Sequence, residues 1–185
     1  MNLTVLGLDH DLQWRDPNGD LQKLLYGLLW KSSVELIAEE AYKLPTTVGQ
    51  RLALQLGKPW LDIDMNDAER ERAGIYEESV KGGAAPLFEK GEIVGVTGEY
   101  LTHVEEIREK HWVSQILRHK VGSAVVLCGS LHLSPLAKKL RLMGCNVDEV
   151  EVWKFDWYRS QFGAFEVFEE PEGRRWFELR DPKRG

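Results

Sequence analysis

Cysteine is scarce in this chain, with only Cys128 and Cys145 among 185 residues. Two thiols exclude a disulfide framework and a thiolate-rich structural zinc site, and they are expected to stay reduced in a cytoplasm. Long apolar runs are missing too. No stretch approaches the ~20 residues a bilayer-spanning helix requires. Met1 leads directly into Leu3-Thr4-Val5-Leu6, with no basic segment or small-residue cleavage site. No membrane partner is therefore expected, and the location expected is cytoplasmic. Excess positive charge is absent as well. Lys and Arg number 24 against 30 Asp and Glu, a net charge of −6. That balance argues against nucleic acid as a partner, and the basic Lys183-Arg184 end is too short to reverse it. What is present is an ordinary globular mixture, 43% hydrophobic and 29% charged, sized for a single domain with its own core.

Strand-like and helix-like segments alternate along the chain. Leu3 to Leu8 is a nearly unbroken apolar run, as expected of a strand buried on both faces. Gly7 to Gly19 reads as a loop. Leu21, Leu24, Leu25, Leu28 and Leu29 recur at helical spacing and predict a helix over 20–31. Val34 to Ala38 predicts a second strand, ending at Glu39-Glu40. Thr46 or Thr47 caps a helix to Leu56 that Gly57 and Pro59 terminate. Trp60 to Asp64 predicts a third strand. From 66 to 98 the pattern is weak, with a helical turn at Glu69-Arg72 and a break at Lys81-Pro86, the place for a lid or variable loop. Thr102 with Glu105 forms a capping-box pattern opening a helix to Lys120. Ala124 to Leu127 is a buried strand, Ser134-Pro135 opens a helix that Gly144 ends, and Val147 to Trp153 is a last strand. Residues 1–160 are expected to form the core and 161–185 a C-terminal extension. The order predicts an α/β fold, a mainly parallel sheet with helices on both faces in a single domain.

Ligands in such folds bind beyond the carboxyl ends of the strands. Gly7-Leu8-Asp9-His10 follows the first strand, Glu39-Glu40 the second, Asp62 and Asp64 the third, and Gly129-Ser130-Leu131-His132 the strand at 124–127. Both histidine loops read GxxH directly after a buried strand. Glycine lets the backbone turn sharply there, and imidazole serves as proton acceptor or metal ligand near neutral pH. Neighbouring side chains in an extended segment point to opposite faces, so one of Glu39 and Glu40 turns to the rim, and Glu39 is favoured because it directly follows the apolar run. Arg108, one turn after Glu105, either pairs with it or reaches the rim to hold a carboxylate. His103, His111 and His119 read as helix-surface or cap residues, Cys128 as a small buried residue, and the aromatics of 153–177 as packing.

Gly7/His10, Glu39/Glu40, Glu105/Arg108 and Gly129/His132 form, in order, two GxxH motifs, a glutamate pair and an ExxR motif. In that order they resemble the TraB/Tiki superfamily, which also groups erythromycin esterase and ChaN-like proteins. The resemblance implies an α/β core whose motif residues converge on one site, and hydrolytic chemistry of peptidase or esterase type. Its expected catalytic residues are His10, Glu39, Glu105, Arg108 and His132. In a metal-dependent version, His10, Glu39 and His132 would hold Mn²⁺, Co²⁺ or Zn²⁺ and activate water. In a metal-free version a histidine deprotonates water, with a glutamate fixing its tautomer. The substrate expected is a small molecule or peptide. The rival is a non-catalytic domain that binds a small ligand, haem or peptide at the same rim.

Overall fold

Asn2–Leu8 forms strand β1, and Val5, Leu6 and Leu8 are essentially fully buried, as an apolar run between two helix layers requires. The computed structural model describes residues 1–31, 33–75, 87–89, 92–95, 98–162, 165–169 and 175–179, with side-chain detail for 1–30, 33–75 and 103–161. After β1 come α1 (His10–Arg15), α2 (Asp20–Lys31), β2 (Leu36–Glu39), α3 (Val48–Leu56), β3 (Trp60–Asp62) and α4 (Asp67–Arg72). A short antiparallel pair, β4 (Leu87–Glu89) and β5 (Glu92–Gly95), precedes α5 (Gly98–Arg118), β6 (Ser123–Gly129), α6 (Leu133–Leu142) and β7 (Asn146–Glu151). Then follow α7 (Asp156–Phe162) and the hairpin β8 (Phe165–Glu169) and β9 (Arg175–Leu179).

Five strands form one all-parallel sheet in the order β3-β2-β6-β1-β7. The steps β1→β2 and β2→β3 run toward one edge, whereas β3→β6 and β6→β7 run toward the other. Right-handed crossovers therefore place the intervening helices on opposite faces. Accordingly α2 packs beside α3, and α5 packs beside α6. Between the layers sit Val5, Leu6, Ile37, Val125, Val126 and Leu127, none with accessible surface. Each such side chain contributes about 1.5–3 kcal/mol on burial. Among the described residues, no helix is long and apolar enough to cross a membrane. The two cysteines are free and buried.

Several boundaries differ from expectation for local reasons. The stretch read as a loop after β1 contains α1, because the Asp9 carboxylate accepts a hydrogen bond from the Asp11 N–H and caps a turn too short for periodicity to reveal. The Asn66 and Glu69 side chains form the capping box that starts α4. Helix α5 begins at Gly98, so Thr102 lies inside it rather than at its start. A 3₁₀ turn over Ser130–His132 precedes α6, which begins at Leu133, two residues before the Pro135 start that Ser134-Pro135 suggests. The break at Lys81-Pro86 and the Lys183-Arg184 end lie outside the described residues.

Gly7 sits where β1 comes closest to the next layer. A Cβ there would lie 2.9 Å from the Leu133 Cβ and 3.1 Å from the Trp153 ring. Gly7→Ala is expected to destabilise the fold by about 1–3 kcal/mol through overpacking. Urea unfolding checks this, with a lowered midpoint at unchanged m-value as the expected result.

Candidate functional site

β1 and β6 are neighbours whose outgoing connections lie on opposite faces, the switch point where α/β sheets open a crevice. Their ends are level, with Leu8 opposite Gly129. α1 then delivers His10 and the 3₁₀ turn delivers His132. Both imidazoles line one cleft of about 290 Å³, together with Leu8, Asp9, Asp11, Gly129, Ser130, Leu131, Trp153 and Tyr158. The histidines of the two GxxH motifs, more than a hundred positions apart, line the same cleft. The Gly129 backbone has the matching role, since a Cβ there would lie 3.1 Å from His10 Nε2.

Beneath the cleft lies a buried ionic cluster. Glu40 follows β2 and is fixed by its N–H to the Leu127 carbonyl at 2.9 Å. Its carboxylate accepts from Arg108 Nη2 at 2.5 Å and from the Gly129 N–H at 2.8 Å, and His10 Nε2 stands 3.7 Å away. Arg108 also donates to Asp64, from Nη2 at 3.1 Å and Nε at 3.3 Å. Asp64 accepts further bonds from Arg70 at 2.6 Å and from the Trp112 indole at 3.1 Å. Burial alone would raise the Glu40 carboxyl. The charges of Arg108, His132 and His10 and the Gly129 hydrogen bond outweigh it and hold the group at about 2. Burial likewise opposes the Arg108 charge, but Glu40 and Asp64 reverse this and push its pKa upward. Glu40 is thus a permanent anion held close to both imidazoles.

Each histidine is oriented through Nδ1. For His10 the partner is Gln13 Oε1 at 2.6 Å. Gln13 Nε2 donates to Glu39 Oε1 at 3.3 Å and to the Glu40 carbonyl at 3.2 Å, so the amide oxygen must face the imidazole and accept from it. The His10 Nδ1 therefore carries the proton, and Nε2, on a side chain 49% exposed, presents its lone pair. For His132 the partner is Glu109 Oε1 at 2.9 Å, and Lys139 holds the other Glu109 oxygen at 2.6 Å. Burial pushes the His132 pKa down, but the Glu109 hydrogen bond and the Glu40 charge outweigh it and raise it. The indole of Trp112 meets the His132 ring edge-on at 4.8 Å.

Glu39, favoured from sequence as the rim carboxylate, turns away. Its oxygens accept from Thr47 Oγ1 at 2.5 Å and Trp60 Nε1 at 2.9 Å, as well as from Gln13. It is Glu40, already past the end of β2, that turns toward the cleft. Glu105 is half-buried one turn before Glu109, and the carboxylate that reaches His132 comes from Glu109. Arg108 does reach the rim, and it does so to hold Glu40 and Asp64. Sequence reasoning missed Gln13 and Glu109. Glu109 carried a signal, since it falls in the buried stripe of α5 with Val104, Arg108, Trp112 and Ile116. A polar residue in such a stripe has a buried partner to meet.

Among the described residues, no three His, Cys, Asp or Glu side chains stand together so as to hold a metal ion. His10, Glu39 and His132 do not fit a divalent ion as one ligand set. Glu39 is bound by three donors away from the cleft, and the Arg108 guanidinium fills the place of a cation between Glu40 and Asp64.

Burial dominates at Glu39 and raises its carboxyl to about 7 against the three hydrogen bonds that lower it. Above pH 4.5 the unfolded chain releases this proton first, so the contribution of Glu39 to stability falls as pH rises toward 7 and then levels off. The size is about 3 kcal/mol at 1.36 kcal/mol per unit. Carboxyl-carbon NMR is expected to show Glu39 titrating near 7 and Glu40 silent down to pH 3. A Glu39 midpoint near 4.5 would contradict the assignment.

Set against protein-family models, curated protein sequences and solved structures, the chain matches none.

Proposed function

We propose that the cleft is a hydrolytic acid–base site for small esters or peptide-like amides, operating without a metal ion. The observation that carries this is the pairing of two imidazoles in one cleft, each tethered at Nδ1 and each beside the fixed Glu40 anion. His10 acts as the base. Its Nε2 removes a proton from a water in the cleft as the water oxygen bonds to the substrate carbonyl carbon, and Glu40, 3.7 Å away, stabilises the imidazolium that forms. His132, with a raised pKa, supplies the opposite function. As the bond to the leaving group breaks, His132 gives that group a proton, and His10 passes its own back to His132 through solvent. Unlike environments around two titratable groups divide acid from base in this way. Asp64 and Arg70 act one step back, holding Arg108 and through it Glu40. The motif order resembling the TraB/Tiki superfamily supports the same reaction class.

A screen of esters, lactones and short peptides, run with chelator and with added Mn²⁺, tests the reading. Turnover in chelator that disappears in both His10→Ala and His132→Ala supports it. Turnover that needs the added ion overturns the metal-free reading. Complete silence combined with ligand-induced thermal stabilisation would replace hydrolysis with the binding of a small ligand at the same rim.

A further inference from the structure

A second cavity, of about 670 Å³, lies between α5 and α6, away from the cleft residues. Its floor is Val113, Leu117, Leu142 and Met143, and its charged lining is Lys110, Arg118 and Lys139. Among the described residues no carboxylate lines it, on a protein of net charge −6. Leu142 is 78% exposed and Met143 61%, although both face an apolar groove that could cover them. Large apolar side chains left open beside cations of one sign are what an amphiphile with an anionic head complements. The volume falls within the range of small-molecule sites. Lys110 to Arg118 spans about 12 Å of helix at 1.5 Å per residue, the reach of a medium-length alkyl chain and too short for most partner helices.

We propose that this groove binds a monomeric amphiphile with a carboxylate-type head, the alkyl chain lying over Leu142 and Met143 and the head taken by Arg118 and Lys139. Among the described residues Arg118 makes no ion pair, so its guanidinium meets the head without first giving up a partner. Lys139 ties the groove to the cleft, because its ammonium holds the same Glu109 that orients His132. A head group that draws Lys139 toward itself removes a counter-charge from Glu109 and thereby favours the charged form of His132.

Calorimetric titration of the full chain with decanoate, below its micelle concentration, tests this independently of any catalysis. One saturable site is expected, at least tenfold weaker in Leu142→Asp and several-fold weaker in Arg118→Gln, with decyltrimethylammonium failing to compete. Leu142 is exposed, so its variant should fold. If thermal melting shows otherwise, Met143→Asp replaces it. Binding should also shift the His132 ring resonances of wild type and not those of Lys139→Gln. The proposal is overturned if decanoate binds no better than the cationic amphiphile, or if Leu142→Asp binds it unchanged. It is also overturned if sedimentation shows the groove buried in a dimer that Leu142→Asp dissociates.

Discussion

Arg108→Ala is expected to lower stability by about 3–5 kcal/mol, the cost of breaking a buried ion pair by removing one partner. Both carboxylates left behind are inaccessible. Glu40 and Asp64 have side chains only 5% and 3% exposed, and the guanidinium reaches both at once. Arg70 still serves Asp64 in the variant, whereas Glu40 loses its strongest counter-charge and keeps the Gly129 N–H and the two imidazoles. Glu40 therefore bears most of the loss, and its pKa should rise, because burial is then opposed by fewer charges. For a chain of this length 1 kcal/mol corresponds to roughly 2–4 °C, so a fall of about 10 °C in Tm is expected by calorimetry. Adding Glu40→Gln to Arg108→Ala should recover part of it, since a neutral amide needs no counter-charge. A loss below about 1 kcal/mol would mean that the cluster is hydrated rather than buried.

His10→Ala is expected to reduce kcat/KM for a hydrolysed substrate by about 10²–10⁴, the usual value of a positioned general base. Its effect on stability should be about 1 kcal/mol or less, because the ring is half-exposed and its removal costs one hydrogen bond to Gln13. The separation of the two effects matters. A buried structural histidine would lose stability and activity together, whereas His10 should lose activity alone. Steady-state kinetics beside urea unfolding make the comparison, and equal losses in both would remove His10 from the chemistry.

The layers of this fold were legible in sequence because the strands at Leu3–Leu8 and Ala124–Leu127 are apolar on both faces and alternate with helical segments, as the strands of a covered parallel sheet do. Once those strands were placed, the rule about their carboxyl ends brought His10 and His132 to one edge without any knowledge of side-chain direction. The glutamate pair shows where this reasoning stops. Alternation says that Glu39 and Glu40 face opposite ways, but the choice between them depends on where β2 ends and the chain turns. The strand includes Glu39, whose side chain goes to Thr47 and Trp60, and the turn brings Glu40 inward. Thr102 and Glu105 illustrate a second limit. Their spacing satisfies a capping box, yet the helix already runs from Gly98, so the local pattern does not mark its start. Gln13 was not legible at all. It belongs to a helix of six residues, too short for periodicity, and its role appears only when Glu39, Glu40 and His10 surround it.

The proposed base is the His10 nitrogen that is free to accept a proton. Nitrogen-15 NMR of the imidazoles at pH 8, where Glu39 is ionised, reads this directly and needs no substrate. The hydrogen bond to Gln13 predicts a proton on Nδ1 and a bare Nε2, lost in Gln13→Leu. A proton on Nε2 in the native protein would leave the cleft without its base and contradict the account.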